Sequence, residues 1–297
     1  SEVFKDKNIL VVPEGSSNFF PYELLIFQEE SDTTKYYFLG EYANITYAPS
    51  LSSYVQITKD KQDSNQSKKA ILASANPNTD EIESYIENVF ALSFVENDVD
   101  IRSYGNIENV DNEIDEINNL FIDNGYRNES NITSLNSKKI SETNFKNSNI
   151  EDAKYIHIAA HGIEDPENPK YSGILLGKKQ QDKNDGLLQA HEIFPLNLNA
   201  DLVTLSACFS AAGEIDSNEG NIGIYRSFLI AGSKSVIVSL WKVEDKATSM
   251  LFIKFYEYLL SGYSKSKALQ LAKMYIKNET VYSHPVFWAP FILMGES

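Results

Sequence analysis

A mostly parallel α/β sheet covered by helices on both faces is the fold class this sequence predicts, and three observations predict it. Short continuous apolar runs, such as Ala70-Ile71-Leu72-Ala73 and Leu202-Val203-Thr204-Leu205, have the character of strands buried on both sides. Stretches with apolar residues at helical spacing separate these runs, and such alternation builds parallel sheets. Two of the runs end in a chemically reactive side chain: Tyr155 to Ala160 leads into His161-Gly162, and Asp201 to Ala207 leads into Cys208.

Taken in order, Ile9-Leu10-Val11-Val12 reads as a buried strand stopped by Pro13-Glu14-Gly15. Phe20 to Ile26 suits a short helix with Pro21 near its first turn. Ala43 to Pro49 is a second strand, and the polar stretch from Thr58 to Lys69 is a loop between an N-terminal subdomain and the main sheet. Ala70 to Ala75 is a strand. The spacing of Ile82, Ile86, Val89, Phe90 and Leu92 predicts a helix over 80–94. Ile114, Ile117, Leu120 and Phe121 predict another over 110–124. Strands are expected near 131–135, 154–160, 201–207 and 234–240. Helices are expected near 141–147, 189–194, 220–231, 245–260 and 264–277, and Phe291 to Met294 is the last apolar run.

Composition narrows the function classes. With 297 residues, 42% of them hydrophobic, the chain can bury one large core or two modest ones. No apolar run approaches the roughly 18 residues that a membrane span needs, and Ser1 to Lys7 lacks the pattern of a signal peptide. A single cysteine forms no internal disulfide, so the expected setting is cytoplasmic. With 26 basic and 42 acidic residues, the net charge is −16, which repels nucleic acid and anionic membranes. Neither is an expected partner.

The two strand ends carry the chemistry. Open α/β sheets bind ligands at the carboxyl ends of their strands, and a lone cysteine with a distant histidine is a candidate nucleophile and base. A thiol attacks as thiolate, so Cys208 needs a base, a role open to His161. Gly162 lets the backbone approach a substrate, and its N–H with that of Cys208 could hold an oxyanion. The competing structural readings are a buried core thiol at Cys208 and a satisfied structural histidine at His161. His157 and His161 have H-x3-H spacing, but on a strand with no further ligand in register no metal site is expected, and His157 should pack in the sheet. His191 reads as a helix-surface residue and His284, before Pro285, as structural. No cofactor is called for.

Longer motifs then match a known family. Val12-Pro13-Glu14-Gly15, Tyr47-Ala48-Pro49-Ser50-Leu51, His157-Ile158-Ala159-Ala160-His161-Gly162 and Ser172-Gly173-Ile174-Leu175-Leu176 are the first of them. Ala200 to Cys208, Arg226 to Gly232, Ser239-Leu240-Trp241-Lys242-Val243 and His284 to Phe291 follow. In these the sequence resembles the CHAT family, caspase-like domains often found beside TPR repeats and related distantly to separase and caspases. The resemblance implies a caspase–hemoglobinase fold with a sheet of about six strands. It also implies two parts: an N-terminal part over 1–67 packing on the core, and a caspase-like catalytic core over 68–297. By position it makes His161 the general base and Cys208 the nucleophile of a cysteine endopeptidase, with Gly162 and Cys208 as oxyanion donors.

The same resemblance directs attention to Trp241 and Asp245. In separase-like relatives an acidic residue after the Trp motif lines the pocket for the residue before the cut, so Asp245 would select a basic residue. The alternative is that Asp245 caps a helix starting near 246. Glu219 and Asp216, after Cys208, and Asp165, after His161, are further pocket candidates. Expected partners are a protein or peptide substrate and a TPR or other regulatory module, the chain being the catalytic part of a larger protein. A peptide-binding signalling scaffold with little turnover, and a non-proteolytic thiol hydrolase or acyltransferase, are the rival readings.

Overall fold

The computed structural model describes residues 3–14, 17, 20–29, 32–59, 69–76, 107–126, 131–163, 165, 168–179, 182–208 and 220–297. The helix expected over 80–94, most of the loop expected at 58–69, and Asp216 and Glu219 lie outside the described residues.

The apolar runs become the strands of one sheet. In chain order they are β1 (Asn8–Val11), β4 (Asn44–Tyr47), β5 (Ala70–Ser74), β6 (Ile132–Leu135), β7 (Tyr155–Ile163), β8 (Gly173–Leu175), β9 (Leu187–Gln189), β10 (Leu202–Cys208), β11 (Ser235–Ser239) and β12 (Phe291–Gly295). Strands β2 (Ile26–Glu29) and β3 (Asp32–Phe38) form a separate antiparallel pair. The main sheet runs β1-β4-β12-β11-β10-β7-β5-β6, with β8 and β9 added beside β7. Five central strands, β11, β10, β7, β5 and β6, are mutually parallel, and β12 joins them antiparallel. The expectation of about six strands therefore matches that central group. The sheet is wider because β4 and β1 extend it past β12.

The first 67 residues take part in this sheet. They contribute two strands to the edge of the main sheet, so the sheet continues across the expected boundary. Two elements there escaped the sequence reading. The β2–β3 pair packs Phe27 and Tyr37 against Phe4 and Tyr42. The nine-residue helix α1 (Leu51–Lys59) follows β4. The short helix expected over Phe20 to Ile26 is one 3-10 turn at Tyr22–Leu24, after which β2 begins.

Side-chain alternation divides the core. Along β7, Ile156, Ile158 and Ala160 face one apolar cluster, while Tyr155 and Ala159 face the other. The first face is covered by α3 (Glu142–Lys146), α4 (Ala190–Ile193) and α5 (Gly220–Ile230), with Phe145, Ile193, Ile224 and Phe228 buried. The second is covered by α2 (Val110–Asp123), α6 (Asp245–Leu260) and α7 (Lys265–Glu279). In α2 the buried residues Val110, Ile114, Ile117 and Phe121 repeat at helical spacing, as the sequence predicts. Phe252 and Tyr256 of α6 and Ala268 and Ala272 of α7 complete that layer. No helix among the described residues is long and apolar enough to cross a membrane.

Candidate active site

The pairing of β7 with β10 runs without interruption from Leu202 opposite Tyr155 to Cys208 opposite His161. Neighbouring strands lie about 4.8 Å apart, so the two residues occupy adjoining positions at the carboxyl edge. The period of two also assigns His161 to the face covered by α2 and α6, the face that holds His157. His161 is only 9% exposed.

Why β7 reaches as far as Ile163 is visible in its neighbours. On the side away from β10, β5 ends at Ser74 opposite Ala159, and β8 takes over, pairing Leu175 with His161 and Ile174 with Gly162. The β8–β9 pair is anchored by buried charge. Glu142 Oε2 accepts the Gly186 N–H at 2.8 Å, and Lys146 bridges Glu142 and Glu192 at 2.5 and 2.9 Å. Glu192 in turn accepts the Gln189 N–H, closing the start of α4. Gly173 is tightly enclosed: an added Cβ would stand 2.9 Å from Leu187 Cγ and from the Leu188 carbonyl oxygen. Side chains there would push β8 and β9 apart beneath His161.

The remaining candidates among the described residues each have a definite place. Asp165 is buried in the turn leaving β7, where its N–H donates to Ser172 Oγ and its Oδ1 accepts the Asn168 N–H. Trp241 lies in the β11–α6 connection and donates its indole N–H to the Val286 carbonyl at 3.0 Å. Asp245 is the first residue of α6, at the same carboxyl pole, one strand beyond β10. One of its oxygens accepts both the backbone and side-chain N–H of Asn109 at 2.8 Å. The helix cap is its neighbour: Glu244 accepts the Ala247 N–H at 2.8 Å.

The other histidines do structural work. His157 Nε2 lies 2.7 Å from Glu113 Oε1, both fully buried, with Phe252 and Tyr256 edge-on to the ring. Glu113 escaped the sequence reading, although an acid three residues after Val110 on an apolar helical stripe was a usable signal. His191 is exposed beside Tyr171, and His284 accepts the Val286 N–H. Among the described residues no group of three or more His, Cys, Asp or Glu gathers to hold a metal.

A second acid at this pole ties α2 to the strand ends. Asp111 Oδ1 accepts hydrogen bonds from Ser74 Oγ at 2.5 Å, Ser137 Oγ at 2.8 Å and the Ser137 N–H at 3.0 Å. Partial burial alone would raise its pKa. The Ser74 and Ser137 bonds outweigh burial and hold the carboxyl below its ordinary value. A depressed acid stabilises the fold above its unfolded pKa of about 3.9 and loses that contribution as pH falls through the lower folded value. Asp111→Asn should therefore be less stable than the parent at neutral pH, and the two urea midpoints should converge in acid. A difference independent of pH would refute the assignment.

The class is now defined: an α/β protein with a central, mostly parallel sheet in which a cysteine ending one strand stands opposite a histidine near the carboxyl end of its neighbour. The chain belongs to the CHAT domain family, whose model matches residues 3–296. Tetratricopeptide repeat protein 28 of mouse and its human counterpart are each 37% identical over 109 residues, which is 37% of this chain. The chain spans about 4% of the length of those relatives. Among solved structures, the Arg-specific cysteine proteinase gingipain R superposes with TM-score 0.55 at 10% identity, over 86% of this chain and 55% of its own. Separase from Saccharomyces cerevisiae, in complex with securin, gives TM-score 0.55 at 16% identity over 96% of this chain and 15% of its own. The fold is caspase-like.

Proposed function

We propose that the chain is a cysteine endopeptidase working through His161 and Cys208. The observation that carries this reading is the register that sets Cys208 directly opposite His161 at the open end of the sheet. On this reading the His161 imidazole takes the thiol proton and the Cys208 thiolate attacks the scissile carbonyl carbon. The oxyanion that forms is held by the N–H groups of Gly162 and Cys208. Collapse breaks the C–N bond, the imidazolium protonates the leaving amine, and an acyl-thioester remains. The imidazole then deprotonates a water whose attack releases the acid and restores the thiol. No step requires a cofactor.

A basic residue before the cut is the specificity we propose. Asp245 stands at the reacting pole, and the bonds from Asn109 occupy one of its two carboxylate oxygens. The similarity to an Arg-specific proteinase supports the same preference. Trp241, Asp165 and Glu219 are the further residues proposed to border the pocket. The TPR-containing relatives favour control by an appended repeat module or a partner.

Two measurements test the reading. A peptide acyloxymethyl-ketone probe should modify Cys208 in the parent and not in His161→Ala; absence of labelling in the parent refutes the peptidase. A library varying the residue before the cut should show preference for Arg or Lys. Asp245→Asn keeps an acceptor for Asn109 and should weaken that preference about tenfold or more. An unchanged profile removes Asp245 from the pocket.

A further inference from the structure

The sheet has a second pole. At the amino ends of β10 and β11, opposite the His161–Cys208 edge, a groove of about 960 Å³ opens between α1 and α5. Ser50, Ser53 and Ile57 line it from the α1 side, a spacing that puts them on one helical face. Arg226 and Ile230 line it from α5, and Lys234 borders it in the turn into β11.

Two independent features mark this groove as incomplete. The first is that α1 buries none of its nine residues, and Ile57 on its groove side is only half-buried. A helix that short gains little from propensity and ordinarily depends on packing. Across the groove Ile230, at the end of α5, is 68% exposed. The second feature is charge. The chain carries a net −16, yet among the described lining residues the charged ones are Arg226 and Lys234, both cations. At physiological salt, distant acids are screened over about 8 Å, so the local cations set the preference for an occupant.

We propose that this groove docks an acidic, apolar-anchored segment of a partner polypeptide. Apolar side chains of the segment would cover Ile230 and Ile57, and its carboxylates would pair with Arg226 and Lys234. The face of α1 then gains the packing it lacks. Helix α5 begins at Gly220, downstream of Cys208, so the occupant would sit on the same helix that follows the proposed nucleophile strand. Docking itself does not depend on peptide hydrolysis, and its test uses no turnover.

The probe is a fluorescein-labelled synthetic amphipathic peptide with leucine anchors and intervening glutamates, followed by anisotropy. Two control peptides replace Glu by Lys or Leu by Ser. The parent chain should bind the Glu/Leu peptide and bind both controls about tenfold more weakly or worse. The double variant Arg226→Glu with Lys234→Glu should lose the Glu/Leu peptide and gain the Lys/Leu one. Ile230→Asp should weaken binding by a similar factor while melting like the parent. Hydrogen exchange of the parent should show α1 protected by the peptide, a readout that needs no variant to fold. Absence of binding at millimolar peptide, equal binding by all variants, or protection lying away from α1 and α5 overturns the proposal. Self-association of the parent abolished by Ile230→Asp, with no peptide binding, also overturns it and assigns the groove to a second copy.

Discussion

Replacing Cys208 by alanine is expected to lower peptide hydrolysis by about 10³-fold or more, because an attacking thiolate has no substitute among methyl groups. His161→Ala should cost about 10²- to 10⁴-fold, the usual contribution of a positioned acid–base group. The two losses should not multiply. A thiol without its base and a base without its thiol each disable the same step, so the double variant should resemble Cys208→Ala. Initial rates on one fluorogenic peptide, with all three variants melting like the parent, decide the matter. Turnover surviving in Cys208→Ala would sink the dyad, and independent multiplication of the two losses would show that the residues act in separate steps.

The largest stability effect is expected far from that edge. Glu23, in the 3-10 turn before β2, and Lys273, in α7, form a buried pair with Nζ–Oε1 at 2.5 Å. Tyr47 donates its hydroxyl to the other oxygen of Glu23 at 2.5 Å and accepts the Tyr22 N–H at 2.8 Å. Burial pushes the Lys273 ammonium below its ordinary pKa, with Glu23 opposing the shift, and pushes the Tyr47 phenol upward. Lys273→Met would leave a carboxylate in the core with only Tyr47 for company, at a cost of about 3–5 kcal/mol. Adding Glu23→Gln should recover much of that loss, since a neutral amide oxygen still accepts from Tyr47. Urea unfolding of the two single variants and the double variant measures the coupling. Two single variants within about 1 kcal/mol of the parent would contradict the estimate. The pair joins the N-terminal segment to a helix 250 positions later.

Much of this organisation was legible along the chain. Strands β5, β7, β10 and β11 declared themselves as continuous apolar runs, because a strand covered on both faces has no polar side to show. Helices α2 and α6 were visible in their spacing, and the positions of His161 and Cys208 at the ends of their runs followed from the same pattern. Three-residue strands such as β8 and β9 carry no period long enough to detect, so the piece that extends the sheet beside His161 stayed hidden. Helix α1 carries only Leu51, Tyr54 and Val55 at helical spacing, a set too short to stand apart from the strand before it. At the start of α6 the alternative reading of Asp245 as the cap misses by one residue: Glu244 takes the helix N–H, and Asp245 holds Asn109. Glu113 was overlooked since its partner His157 lies 44 positions away.

By itself, then, the sequence determined the class of fold, the succession of its central strands and helices, and the placing of His161 and Cys208 towards the carboxyl ends of two strands, all of which follow from side-chain patterns among neighbouring residues. Only the tertiary structure decided that Cys208 stands opposite His161, that β1 and β4 widen the sheet, and that Lys273 meets Glu23. Those facts are pairings between distant segments. They are set by hydrogen-bond register and by the need to satisfy buried polar groups, and no local period encodes either.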